Sequence, residues 1–488
     1  MSKKRVSSSS STHGKTAKYI DVPVLSLGDV REELSQAYNG GKDYTHVSGV
    51  QLFNTPFQCC VIRDFINDKD FVQRLKDDLL ALNFNSKETD LFQFHQTDDL
   101  IDCKVETVAE IRKVLFNDVR RWVADVKGIE LDTKVDLSCA KYSYTDFLLC
   151  HDDKLEGRRI AFIYYLVPDD WTTNDGGCFD MFSTDDDGQP SEIIRSIVPA
   201  FNSFVFFEVT DKSFHQVAEV ISKDKHRLTI SGWFHGKHVT TESSSDPPMS
   251  VKTSPALPEK DELLLEWINP TYLTPDIVDD ISEQFEEESE IQLKDFLKEE
   301  KISLVLNELS NNSDWVKKGP ANHRCYWCLR DEEQASENVK QLRKLLASKP
   351  FFKLLTKLSG LELALLDEEE NDIEKKNAVP PLCSVQVRKW ERGCYTLLHD
   401  EAPAGKEYTL DGVLHLNHHD LDESEDEASI NYIAKDTGQQ ILAVHPLTNC
   451  LSLVYRDEKT SRFFKYINHT YEGLPPMYDV SLTYMEGE

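Results

Sequence analysis

The sequence predicts an α+β, mostly β chain built as two tandem jelly-roll domains, each backed by helices. Four segments between Lys141 and Phe234, namely KYSYTDFLL, RIAFIYYLV, FNSFVFFEV and HRLTISGWF, are short and rich in aromatic and β-branched residues. Turn signals at Asn174-Asp175-Gly176-Gly177 and Asp187-Gly188 break the text between them, the pattern of many short strands. Two helical stretches precede these strands, so helices cover one side of a closed or two-sheet β structure. The second half then repeats the first in degraded form, which doubles the architecture.

In chain order, residues 1–18 carry five Lys or Arg, no acid and a run of five Ser. The reading is a disordered basic tail extending to residue 44. Within it Lys3-Lys4-Arg5 is either a nuclear address or merely solvated charge. From Asn54 a strand leads into a helix whose apolar face is Phe71, Leu75, Leu79 and Leu80, and a second helix spans Val105 to Lys127 with Val108, Ile111, Val114, Leu115, Val119 and Val123 inward. Residues 45–236 form the expected catalytic domain. Residues 237–260, rich in Ser, Thr and Pro, form a linker. Residues 261–488 form a second, degenerate domain, in which Thr274-Pro275-Asp276 starts a helix with Ile277, Val278, Ile281 and Phe285 as its apolar stripe.

Composition excludes several classes. Of 488 residues, 55 are Lys or Arg and 86 are Asp or Glu, so the net charge is 55 − 86 = −31. Direct nucleic-acid binding is not expected, and a basic partner protein is favoured. No apolar run approaches the roughly 18 residues of a membrane span; the longest, Ile160 to Val167, has strand length. The N-terminus lacks the apolar core of a secretory signal. Eleven cysteines without a framework read as free thiols in a reducing compartment.

The chemistry concentrates at KYSYTDFLLCHDD, where His151 and Asp153 stand two apart at a strand end. His215 follows 62 residues after Asp153 and Arg227 a further 12 on. An H-x-D pair, strand-rich text, a lone His and then an Arg on a fresh strand is the order of a two-histidine, one-carboxylate facial triad, which leaves open positions on Fe(II). A structural zinc usually takes four protein ligands. Alternation places Arg227, Thr229 and Ser231 on one face, where the guanidinium can hold a distal carboxylate. Tyr165 offers its hydroxyl to the same carboxylate or is a packed aromatic beside Tyr164. A dicarboxylate that chelates iron at one end and meets Arg at the other is 2-oxoglutarate, and with O2 as third reactant the expected reaction is hydroxylation coupled to formation of succinate and CO2.

The repeat is visible where Lys127-Gly128-Ile129-Glu130-Leu131 is echoed by Ser359-Gly360-Leu361-Glu362-Leu363, and AKYSYTDFLLCHDD by VRKWERGCYTLLHDEA. There His399-Asp400-Glu401 offers H-x-E, but the place of His215 falls between Arg462 and Phe464, and Asp479 stands near that of Arg227. This half is read as metal-free, with a structural or recognition role. The single Cys325-Tyr326-Trp327-Cys328 lacks a partner pair for zinc, and His415, His418 and His419 read as a solvated loop ahead of ESEDE.

With KYSYTDFLLCHDD, RRIAFIYYLVPDDW, NSFVFFEVTDKSFHQVAEV, HRLTISGWFHG and WINPTYLTPDIVDDISEQFEEESEIQLKDFL in view, the chain closely resembles the eukaryotic ribosomal prolyl 3-hydroxylases with tandem double-stranded β-helix domains. The resemblance runs from about residue 45 to 488. It implies Fe(II) on His151, Asp153 and His215, 2-oxoglutarate on Arg227 and Tyr165, and Tyr142, on the strand leading to His151, as a supporting residue of the 2-oxoglutarate site. It also implies ascorbate as a supporting reductant, a basic small-subunit ribosomal protein of the decoding centre as substrate, an effect on translation, and residence in cytoplasm and nucleus. The alternative function is a non-catalytic regulator that senses iron and 2-oxoglutarate while binding a ribosomal or transcriptional partner. The triad and the Arg alone do not separate proline from lysine as target.

Overall fold

The computed structural model describes residues 20–155, 157–237, 252–364, 381–398, 408–419 and 428–485. Residues 20–44 are ordered, which corrects the expected tail to residue 44. Helix α1, Gly28–Gly40, buries Val30, Leu34 and Tyr38 in the first core and ends at Gly41 with φ +59°. Its apolar residues stand four apart, but Leu27 at its start provides no polar cap, so neither start signal nor dense apolar stripe announces it. Helix α2, Lys69–Leu80, is capped by Asp68, which accepts from the Phe71 amide at 3.0 Å. It buries Phe71, Val72, Leu75 and Leu79, whereas Leu80 is 43% exposed and does not belong to the inward face. The helix expected over Val105–Lys127 forms as α3, Glu106–Val114, and α4, Arg120–Lys127, joined by a π-turn at Leu115–Val119.

Thirteen strands of the first half form one antiparallel sheet. They are β1 (Tyr44–Thr45), β2 (Val50–Phe53), β3 (Cys59–Ile62), β4 (Asn85–Glu88), β5 (Phe92–Gln96), β6 (Val135–Tyr142) and β7 (Phe147–His151). Then come β8 (Arg158–Tyr165), β9 (Phe179–Thr184), β10 (Pro190–Ile197), β11 (Ser203–Glu208), β12 (His215–Val217) and β13 (Arg227–His235). Their order is β1-β2-β3-β11-β8-β13-β6-β5-β7-β12-β9-β10, with β4 on β5. The sheet folds over itself at β5, so that β8 and β11 face β9 through Ala161, Tyr165, Phe179, Met181, Val205 and Phe207. Period-2 alternation sends Ile160, Phe162 and Tyr164 the other way, onto the helices. This is a jelly roll with a helical backing, as expected.

The second half uses β14 (Ser254–Pro255), β15 (Glu290–Leu293), β16 (Trp315–Lys318), β17 (Arg324–Leu329), β18 (Leu382–Trp390) and β19 (Tyr395–Thr396). It continues with β20 (Tyr408–His415), β21 (Ile430–Ala434), β22 (Gln440–Val444), β23 (Cys450–Asp457), β24 (Thr460–Phe464) and β25 (Met477–Met485). One sheet runs β15-β23-β20-β25-β18-β17-β16 and another β22-β21-β24. Helices α5 (Glu262–Trp267), α6 (Pro275–Glu288), α7 (Glu299–Ser310), α8 (Glu337–Leu346) and α9 (Lys349–Ser359) complete this half, and residues of all five join the core behind the larger sheet. Thr274 is the N-cap of α6 by position, yet its hydroxyl bonds to the Pro270 carbonyl rather than to the helix. Ser254 and Pro255, expected as linker, pair with β18; residues 238–251 of that stretch lie outside the described residues.

One motif recurs in both halves. Asn202, with φ +55°, accepts from the Ile66 amide at 3.0 Å and donates to the Ile66 carbonyl at 2.8 Å. Asn449, with φ +52°, does the same to Leu297 at 3.0 and 2.8 Å. Each Asn carbonyl also takes a backbone amide from the preceding Phe, Phe65 or Phe296. Asparagine is among the residues that tolerate this left-handed conformation, and its amide satisfies both backbone groups of a buried strand exit.

Close packing of β13 sets one sensitive position. A Cβ on Gly232 would lie 1.9 Å from the Asp136 carbonyl oxygen and 3.0 Å from the Phe162 ring. Gly232→Ala is therefore expected to lose ~3 kcal/mol of stability, read as a lowered midpoint in chemical denaturation.

Candidate active site

β7 and β12 lie side by side with His151 opposite His215. Their Nε2 atoms come to 3.5 and 3.4 Å from the two oxygens of Asp153. One ligand atom from each of the three lies within 4.8 Å of the others, the sole such group of three among the described residues. The imidazole Nδ1 atoms are engaged elsewhere: His151 with the Leu149 carbonyl and His215 with the Ser213 carbonyl, both at 2.8 Å. Since a carbonyl only accepts, each Nδ1 carries the proton and each Nε2 presents a lone pair inward. Two imidazole lone pairs and a carboxylate facing one space are the donor set a divalent transition metal needs. The residues present therefore fit Fe(II).

Local backbone supports that convergence. Asp153 adopts φ +62°, a conformation Asp tolerates better than most residues, and Asp152 accepts from the Lys154 amide at 3.0 Å to turn the chain there. Phe207 and Phe179 pack on the His215 ring at 4.8 and 5.1 Å. Burial alone would raise the Asp153 carboxyl; with protons on Nε2, hydrogen bonds and charge from His151 and His215 hold it well below the usual carboxylate range, and a metal ion takes the place of those protons. Burial and then the neighbouring His151 lower His215.

Arg227 opens β13 and pairs across to Tyr142 on β6. It is 1% exposed. Its Nε–H donates to the Gly177 carbonyl at 2.9 Å and its Nη2 to the Tyr165 hydroxyl at 3.4 Å. The rings of Tyr142 and Tyr165 each lie 5.0 Å from the guanidinium carbon, so the cation is sandwiched. Burial pushes both phenols up, which keeps them neutral donors. Among the described residues no carboxylate pairs with Arg227. A buried guanidinium without an anion is costly unless a ligand carboxylate joins it.

Five of the six expected residues, His151, Asp153, His215, Arg227 and Tyr142, line one cavity of about 430 Å³ together with Thr229 and Ser231; the sixth, Tyr165, is buried in the cluster behind the lining and reaches the site through Arg227. Alternation along β13 extends to Trp233, whose ring carries the Arg158 guanidinium at 3.4 Å, with Arg158 itself 3.7 Å from Asp153. Neither residue was singled out from the sequence, although period-2 counting from Arg227 reaches Trp233. Gly177 reads in the sequence only as a turn; its carbonyl holds Arg227, and a Cβ there would lie 2.9 Å from the Arg227 Cδ.

The second half has no such centre among its described residues; His399, Asp400 and Glu401 lie outside them. Thirteen residues after Asn202 stands His215, and thirteen after Asn449 stands Arg462. In strand register His215 opposes Met181 and Arg462 opposes Tyr432. Arg462 meets Asp411 at 3.0 Å, so an ion pair fills this half where the first collects metal donors. His415 is not in a solvated loop: it is the last residue of β20, 3% exposed, and opposes Asp479. His418 and His419 do lie in the loop beyond it.

Comparison with known proteins agrees with this geometry. Residues 137–235 match the 2OG-Fe(II) oxygenase superfamily, and residues 259–487 match the family described as oxoglutarate and iron-dependent oxygenase degradation C-term. The prolyl 3-hydroxylase OGFOD1 of Xenopus laevis is 42% identical over 461 residues, covering 90% of this chain and 88% of that protein. Its counterpart in Mus musculus is 38% identical over 90% of this chain and 89% of its own length. The prolyl 3-hydroxylase sudestada1 of Drosophila melanogaster is 34% identical over 90% of this chain and 85% of its own. Among solved structures, a Pseudomonas putida prolyl-4-hydroxylase is 16% identical and covers 42% of this chain and 100% of its own, with a TM-score of 0.32.

Proposed function

Because the chain belongs to the prolyl 3-hydroxylase family of 2-oxoglutarate- and Fe(II)-dependent oxygenases, we propose that it hydroxylates C3 of a proline in a small-subunit ribosomal protein of the decoding centre and thereby modulates translation. It is an enzyme, a dioxygenase that uses Fe(II), 2-oxoglutarate and O2 to hydroxylate prolyl residues. The observation that carries the reading is the pairing of a His-Asp-His donor set with a buried, anion-free Arg in one cavity. Bound iron, 2-oxoglutarate and O2 supply an oxidative decarboxylation, to succinate and CO2, that delivers one oxygen atom to a C–H bond.

The chain's own residues set up that chemistry. His151 and His215 offer Nε2, fixed in tautomer by the Leu149 and Ser213 carbonyls, and Asp153 offers its carboxylate. Arg227 takes the distal carboxylate of 2-oxoglutarate in a charge-assisted bond, with the Tyr165 hydroxyl as second donor and the Tyr142 ring holding the guanidinium plane. Phe179 and Phe207 keep water from the imidazoles, which strengthens each electrostatic contact. The ribosomal substrate is supported by the family resemblance and by charge: a net −31 attracts a basic partner. Ascorbate as a supporting reductant, and residence in cytoplasm and nucleus, belong to the same proposal.

The test is mass spectrometry of the decoding-centre protein's prolyl peptide after incubation with enzyme, Fe(II), 2-oxoglutarate and O2, beside His151→Ala. A gain of one oxygen on proline, lost in the variant, is expected. Succinate formation without any gain on that peptide would remove the ribosomal substrate and leave the oxygenase.

A further inference from the structure

We infer that Glu219 is a positioning residue through which the second jelly roll sets the affinity for 2-oxoglutarate; the inference rests on Arg227 being the anchor of that co-substrate. Glu219 follows β12, four residues after His215, and its side chain is 2% exposed. It crosses to the second half. There the His469 amide donates to its carboxylate at 2.7 Å, the Tyr466 hydroxyl at 3.4 Å, and the Arg392 Nε lies at 3.5 Å. Its neighbours bind the same two bodies: Phe147 packs on Tyr466 at 4.4 Å, and Phe147 and Leu149 share a cluster with Tyr395 and Leu397.

The backbone of Glu219 points back to the site. Its carbonyl accepts the Gly177 amide at 3.0 Å, and the Gly177 carbonyl accepts the Arg227 Nε–H at 2.9 Å. Gly176 and Val220 form a bridge beside them, and the Ile221 amide donates to Asp175 at 3.0 Å, so the turn is zipped to the strand end. There is no slack: a Cβ on Gly176 would lie 2.1 Å from the Glu219 carbonyl oxygen and one on Gly177 2.9 Å from the Arg227 side chain. Two hydrogen bonds thus separate the second half's grip on Glu219 from the cation that receives the co-substrate. A displacement of the Glu219 backbone must be taken up at Arg227, because the close contacts at Gly176 and Gly177 leave the turn no room to absorb it.

The groups facing the Glu219 carboxyl are Arg392, Tyr466 and His469, the last with its ring paired to Glu472 at 2.6 Å. Burial lifts the carboxyl to about 7 against the pull of the His469 amide and Arg392. An acid raised in the folded state stabilises below its unfolded pKa, and that contribution is lost as pH rises towards 7. Relative to the unaltered protein, the melting temperature of Glu219→Gln, neutral at every pH, is therefore expected to climb as pH rises from 5 to about 7 and to hold that difference above it.

The deciding experiment is calorimetric titration of 2-oxoglutarate into full-length, Mn(II)-loaded protein without O2, for Glu219→Ala, Glu219→Gln and Arg227→Ala. Glu219→Ala is expected to weaken binding about tenfold, a usual size for coupling between sites, with Mn(II) affinity unchanged and faster amide exchange at Gly177. Glu219→Gln, which keeps an acceptor for the His469 amide, is expected to stay within about twofold of the unaltered protein. Unaltered affinity in Glu219→Ala, beside loss in Arg227→Ala, would overturn the inference; unaltered affinity in Arg227→Ala would instead overturn the anchor reading. Should Glu219→Ala fail to fold, Tyr466→Phe removes one contact from the second half alone. A weakening of about threefold is then expected, and none would overturn the inference.

Discussion

Asp153→Ala is expected to abolish hydroxylation and to leave the protein without a usable metal site. The three donors do not contribute alike. The two imidazoles lie side by side, ring centroids 4.2 Å apart, and each reaches Asp153 with its Nε2. The carboxylate is thus the one negative donor between two neutral ones, and it neutralises part of the charge of a divalent ion. Without it, two neutral nitrogens face a cation in a buried site whose other walls are largely apolar, Phe179 and Phe207 among them. Turnover should fall on the order of a thousandfold or more, the scale on which removal of a preorganised charged group acts. Titration of Co(II), followed by its visible absorption, gives a check independent of activity. A saturable spectrum of unaltered affinity in Asp153→Ala would show that the metal sits elsewhere. Folding is expected to survive, since Asp153 lies in a turn and both imidazoles keep their carbonyl partners through Nδ1.

That site was legible because its logic is local. His151 and Asp153 are two apart, Arg227 starts a strand whose alternation fixes its face, and the strands between are marked by turn residues. Residues whose role depends on contacts distant in sequence were not legible. Gly177 reads as a turn until its carbonyl is seen on Arg227. Glu219 reads as a strand-end acid until its partners, some 170 to 250 residues on, are in place. Helix α1 escaped because three buried residues in thirteen make a thin stripe and no polar cap announces its start. His415 reads as a loop residue because the polar text after it, HHDLDESEDE, outweighs the strand before it; pairing with Cys450 and Asp479 keeps it in β20. The repeat is visible as text, which aligns the segment from Asn202 with that from Asn449; what the text does not show is why an asparagine stands at each start, namely the matching hydrogen bonds to Ile66 and Leu297.

Asp411→Ala should be among the most destabilising single changes in the second half. Asp411 has no exposed side-chain surface and receives two arginines: Arg456 through Nε at 2.6 Å and Nη2 at 3.3 Å, and Arg462 at 3.0 Å. Strand register places Asp411 opposite Val454 as Ala161 is placed opposite Phe207, five residues beyond Asn449 and Asn202 respectively. Where the first half has the small cavity-wall residue Ala161 the second thus has an acid, and where the first has the metal-donor candidate His215 the second has an arginine. Charge now fills what the first half leaves open for an ion. Truncation to Ala takes the anion from the buried Arg456 and removes one partner of Arg462, at a cost of about 3 to 5 kcal/mol. Calorimetric melting of the full chain should show the transition of this half lowered. Asp411→Asn, which keeps the shape and some of the acceptors, should fall between. If Asp411→Ala melts like the unaltered protein, the ion pair does not hold this half together, and its core rests on the apolar residues behind the larger sheet. In that event the loss of the metal ligands here would stand without a structural replacement.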